Sequence, residues 1–130
     1  MTDRELLELA AKAAGFGGEH GTTWTESEYP KGSGKNGALW NYVGHGDTAK
    51  LWNPLEDDGD ALRLAVALRI DLHFEEQPSW CGEIVEAFSP MREDGSRHCE
   101  MRELKPDPNA ATRRAIVRAA AEIGKRGEQK

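Results

Sequence analysis

The segment Trp52–Ile70, WNPLEDDGDALRLAVALRI, constrains the fold more than any other part of the chain. Asn53-Pro54 makes a turn, and Asp57, Asp58 and Asp60 then crowd the start of an apolar run at helical spacing. Acids in that position accept from the unpaired amides of a first helical turn and complement its positive end. Leu62, Ala65 and Val66 define one face, while Ala61, Leu64 and Leu68 cover much of the rest. A helix apolar nearly all round is a buried helix. Other elements of the chain must therefore enclose it, and at 130 residues it is one domain, residues 1–130. That length buries roughly two-thirds of the unfolded surface without a disulfide or metal staple.

Two further helices flank this segment in sequence. Thr2 and Glu5 form a capping box, and Leu6, Leu9, Ala10 and Ala13 follow on one face, with Gly15 as the stop. Near the other end Asp107 is the cap, Pro108 the first helical residue and Gly124 the last. Ile116, Ala119, Ala120 and Ile123 make the core face there, with Arg114, Arg118 and Lys125 near the opposite pole. Between the helices, Thr22–Thr25 reads as a short strand and Ala38–Val43 as another, around a glycine-rich loop, Tyr29–Gly37. Asp71–Glu75 alternates with Leu72 and Phe74 on one face. Glu83–Phe88 and His98–Leu104 are two more strands, joined by a hairpin loop at Pro90–Ser96 that contains Asp94-Gly95. The expected class is α+β, a helix/antiparallel sheet/helix sandwich in the order α-β-α-β-β-β-α. A loop-rich segment spans 15–37, and 125–130 is a frayed tail. The expected core is Leu6, Leu9, Leu62, Val66, Leu72, Phe74, Ile84, Val85, Ile116 and Ile123.

Charge narrows the partners. The net charge is −6: residues 1–60 are net −6, residues 61–105 net −3 and residues 106–130 net +3. Binding to a phosphate backbone comes from neutralising many phosphates with Lys and Arg, so nucleic acid is an unlikely partner for this chain. No run approaches the ~20 apolar residues of a spanning helix, which excludes an integral helical membrane protein. The start, MTDRELLELA, has acids where a signal peptide needs a basic and then an apolar region. Cys81 and Cys99 are too few for a disulfide framework and fit a reducing compartment.

The run Trp52–Val66, followed by strands and then DPNAATRRAIVRAAAEIG at Asp107–Gly124, resembles the phage ABA sandwich domain family. These are small proteins of tailed phages and prophages named for their helix, sheet and helix layers. The resemblance covers Trp52–Gly124 well and Met1–Ala14 loosely. Members often place Gly where this chain has Arg69, a departure that bears on the exit of the central helix. The resemblance implies an antiparallel sheet with helices packed on it, a phage origin and a host-cytoplasm address. It carries over no catalytic residue.

The chemistry-bearing residues do not assemble into a known constellation. Asp57, Asp58 and Asp60 lack the spacing and distal Glu of a calcium loop, and helix capping explains them. His20, His45, His73, His98, Cys81 and Cys99 show no C-x-x-C, H-x-x-x-H or H-E-x-x-H spacing, so no metal is expected. GSGKNG at Gly32–Gly37 fails as a phosphate loop, because Asn36 follows Lys35 where Ser or Thr is needed. Neither cysteine sits in a nucleophile signature, and no cofactor is implied.

These residues favour a binding protein over an enzyme. The expectation is a small phage accessory protein that binds a host protein in the host cytoplasm, a candidate inhibitor of a host defence system. The expected contact region is the loop-rich N-terminal half, with Trp24 and Trp40 as aromatic anchors and Glu26 and Glu28 on a charged rim. Two alternatives remain. One is a small metal-dependent hydrolase built on Asp57, Asp58 and His45. The other is a binder of a nucleotide-like ligand between loop and sheet.

Overall fold

The computed structural model describes residues 2–15, 23–24, 39–42, 49–77 and 82–127. The elements run α1 (Asp3–Ala13), β1 (Thr23–Trp24), β2 (Leu39–Tyr42), β3 (Ala49–Trp52), α2 (Asp58–Leu68), β4 (Asp71–Gln77), β5 (Gly82–Phe88), β6 (Cys99–Glu103) and α3 (Pro108–Gly127). The α+β class holds, and so does the run from α2 through three antiparallel strands to α3. Before α2 the backbone forms a second antiparallel sheet, β1-β2-β3, whose last strand at Ala49–Trp52 leads straight into the Asn53-Pro54 turn. The larger sheet is β4-β5-β6, with Phe74 opposite Val85 and Val85 opposite Arg102.

Local chemistry explains the helix starts. Glu5 N–H donates to Thr2 Oγ1 at 3.1 Å while the Glu5 carboxylate accepts from the Thr2 amide, closing the expected capping box. Asp57 accepts from the Asp60 amide at 2.8 Å as the cap of α2, and Asp107 accepts from the Ala110 amide at 3.1 Å ahead of Pro108. The loop after β5 turns where expected: Gly95 has φ +85° and Asp94 accepts from the Ser96 amide at 2.9 Å. Those hydrogen bonds from Ser96 hold the Asp94 carboxyl below the ordinary aspartate value.

The helix α3 is the element on which the others meet. It packs against α1, α2, β5 and β6, and Ala115, Ile116, Val117, Ala119, Ala120 and Ala121 are all buried. Arg114 ties it to α1 through Asp3 at 2.9 Å. The pole of α3 that carries Arg114 and Arg118 is therefore not the solvated face the wheel suggests; both are partly buried, because α1 and β6 pack close to it. Gly124 does not end the helix either. It lies inside α3 at the crossing with α1, so residues 125–127 belong to the helix rather than to a frayed tail.

The core differs from expectation on α2 and at Phe74 of β4. Leu6, Ile84, Val85 and Ile116 are buried, and Leu9, Leu72 and Ile123 pack partly buried against the core. Leu62 and Val66 are exposed instead, and Ala61, Leu64 and Ala65 take the inward face of α2. The reason is a buried polar bond. Asp60, only 5% exposed, accepts from the Asn53 amide at 2.9 Å, and Asn53 itself is buried. Burying a carboxylate is tolerable only where it is hydrogen-bonded. That bond sets the rotation of α2 so that positions 60, 61, 64 and 65 face in and 62 and 66 face out. Phe74, also expected in the core, is exposed on β4 beside them.

Candidate functional site

The outward rotation of α2 opens an apolar groove on the surface. Leu62 is 61% exposed and Phe74 56%, and both line a groove of about 370 Å³ between α2, β4 and the first turns of α3. Leu72 and Ile116 form its apolar floor, and Asp58 and Arg113 stand at its edge. Arg113 is well placed: its Nε donates to the Leu55 carbonyl at 2.9 Å and its Nη1 to Asp58 at 2.6 Å, so the rim is braced from α3 to the entry of α2. Large exposed side chains that share one concavity mark a contact surface more often than scattered ones do. The sequence hid this groove because Leu62, Val66 and Phe74 read as core.

The acidic cluster has no vacant carboxylate. Asp57 caps α2, Asp58 pairs with Arg113, and Asp60 accepts from Asn53 and from Arg63 at 2.6 Å. Each acid is committed to holding the start of α2. His45, the third member of the expected hydrolase set, lies outside the described residues.

The expected contact residues divide. Glu26 and Glu28 lie outside the described residues. Trp24 occupies β1 opposite Leu39, which is opposite the buried Trp52, while Trp40 is opposite Thr23 and Leu51.

On the face of β4-β5-β6 opposite Val85, another group converges. His73 is directly opposite Glu86, and Glu75 is two residues along the same strand. One ligand atom from each of His73, Glu75 and Glu86 lies within 4.8 Å of the others. Cys99 of β6 joins them from the far side, its thiol donating to Glu86 Oε2 at 3.6 Å. Partial burial, then the charge of Glu86 and the hydrogen bond to it, push the Cys99 thiol up from its ordinary value. His98, its neighbour in sequence, is instead bonded to Glu100 at 2.6 Å, as strand alternation requires. The sequence carried half of this signal: His73-Phe74-Glu75 puts a histidine and a carboxylate on one strand face. Glu86 joins them only through the β4-β5 register.

A third group is cationic. Arg102 of β6 and Arg114 and Arg118 of α3 lie within electrostatic reach of one another. Partial burial, followed by the charges of Arg118 and Arg114, pulls the Arg102 guanidinium down from its ordinary value. Among the described residues the Nε of Arg118 is buried without a hydrogen-bond partner.

No family model matches this chain, and no curated protein or solved structure does. Function must be argued from the surfaces themselves. Among the described residues no helix is long and apolar enough to cross a membrane.

Proposed function

We propose that the protein acts by binding another protein, with the groove between α2, β4 and α3 as its contact surface. The observation that carries this reading is the joint exposure of Leu62 and Phe74 in one groove. Burying those two side chains in a partner is worth roughly 1.5–3 kcal/mol each, the scale on which a few residues dominate an interface. The braced Asp58–Arg113 pair at the edge supplies a polar rim around an apolar centre, the usual anatomy of such contacts. The finer reading is that of a phage accessory protein that inhibits a host defence system in the host cytoplasm. It is supported by the resemblance of Trp52–Gly124 to phage proteins and by a net charge of −6, which speeds encounter with a basic surface.

The test is capture of a partner from lysate of a phage-susceptible host by the full chain, by a Leu62→Lys, Phe74→Ser variant, and by Trp24→Ala. The groove variant is expected to fold, because both side chains are exposed, and to lose the partner that the parent retains. If the folded groove variant captures that partner as well as the parent does, and Trp24→Ala does not, the contact surface is the N-terminal half. A host challenged through its defence system, with and without the parent protein, tests the finer reading.

A further inference from the structure

We propose that His73, Glu75 and Glu86 form a binding site for a divalent zinc-class cation on the face of the β4-β5-β6 sheet opposite Val85. The donors come from two adjacent strands whose register is set by backbone pairing over the whole of β4 and β5, so the sheet prepositions them. Their ligand atoms already lie within 4.8 Å of one another. Bonds of about 2.0–2.2 Å at the tetrahedral angle separate ligands by about 3.4 Å. His73 and Glu75 are exposed and free to turn towards the half-buried Glu86, which closes the remaining gap. His73 and Glu75 make no hydrogen bond or ion pair among the described residues, so a cation displaces no protein partner from them. Two carboxylates held together with an imidazole leave an excess of negative charge that a cation relieves.

Ligand chemistry selects the ion. An imidazole nitrogen with two carboxylates suits zinc and its borderline neighbours better than calcium or magnesium, which prefer six or more oxygens. The thiol of Cys99 donates to Glu86 and so orients that carboxylate from outside the donor set. Three protein donors leave a fourth position for water. This site is separate from the groove, which lies on the helix-covered side of β4, and it needs no assumption about the partner bound there.

Zinc alone titrated calorimetrically into the full chain, and cobalt alone followed by its visible absorption, test the site. One equivalent of each is expected to bind, with the cobalt spectrum of a four-coordinate ion. His73→Ala and Glu86→Gln are each expected to abolish that binding, while His98→Ala retains it, because His98 faces the other side. Circular dichroism establishes that each variant is folded. The inference is overturned if the parent binds no zinc, or if folded His73→Ala and Glu86→Gln variants bind one equivalent as tightly as the parent. It is equally overturned if Cys99→Ser alone removes binding that His73→Ala leaves intact, since the donor would then be the thiol and not this cluster.

Discussion

Gly124 of α3 lies so close to Leu9 of α1 that a β-carbon placed on the glycine would overlap the Leu9 carbonyl oxygen. With the Asp3–Arg114 pair at the other end, this contact makes α1 and α3 run side by side in the same direction. A methyl group here meets backbone, which cannot rotate away. Overpacking of that kind costs about 1–3 kcal/mol, more than the ~1 kcal/mol by which alanine outranks glycine in a helix. Gly124→Ala is therefore expected to destabilise the protein. Gly59→Ala is expected to cost less, because its nearest neighbours are side-chain atoms at 3.2 Å, the Arg63 guanidinium and the Asp57 carboxylate oxygen that caps α2. Urea unfolding of both variants decides the matter, and a loss in Gly59→Ala as large as that in Gly124→Ala would refute the close-crossing argument.

Arg69 closes α2 with φ 57° and ψ 42°, a left-handed conformation that costs an L-residue roughly 1–2 kcal/mol. Backbone amides of Arg69 and Ile70 donate to the Val66 and Ala65 carbonyls, and the Arg69 Nη1 adds a bond to the Val66 carbonyl at 3.1 Å, which offsets part of that strain. Arg69→Gly relieves the strain and is expected to raise stability by about 0.5–1 kcal/mol. Arg69→Ala keeps the strain, loses the hydrogen bond and is expected to lower stability. Thermal midpoints of the pair separate the two effects; an alanine variant as stable as the glycine variant would show that strain is not what the glycine relieves.

What could be read from the residues follows from how local each determinant is. Helix starts were legible because their chemistry spans three or four residues: Thr2 with Glu5, Asp57 with Asp60, Asp107 with Pro108. The strands of the larger sheet were legible from alternation. The face of α2 was not, since its two apolar arcs compete and the Asn53–Asp60 bond that chooses between them is buried. The groove disappeared with that choice. The His73–Glu75–Glu86 cluster stayed hidden for a different reason: it needs the register of two strands, which no local spacing encodes.

Cys99 is expected to be a slow nucleophile. Desolvation and the neighbouring Glu86 and Glu100 charges raise its pKa, and only Arg97 opposes them. A raised pKa leaves less thiolate at neutral pH, and the thiolate is the species that alkylates. Iodoacetamide at pH 7 should therefore modify Cys99 more slowly than a free cysteine, with the rate climbing only as pH rises towards the shifted value. Glu86→Gln should speed the reaction and Arg97→Ala should slow it. Peptide mapping by mass spectrometry isolates Cys99 from Cys81; an unchanged rate in Glu86→Gln would remove the electrostatic explanation.

Arg118 presents the opposite case, a charge whose removal should help. Among the described residues its Nε is buried without an acceptor, and its guanidinium is close enough to Arg102 to disfavour the charge there. An unsatisfied buried donor costs about 1–3 kcal/mol, and like charges in a partly buried cluster add to it. The aliphatic stem of the side chain still packs, so truncation to alanine would confuse the two contributions. Arg118→Met preserves most of that packing while it removes the orphaned donor and the repulsion. The variant is expected to be more stable than the parent by about 1 kcal/mol. Added sodium chloride should stabilise the parent more than the variant, because salt screens repulsion that the variant no longer has. A methionine variant less stable than the parent at every salt concentration would mean that Arg118 is held by an attraction stronger than the repulsion around it.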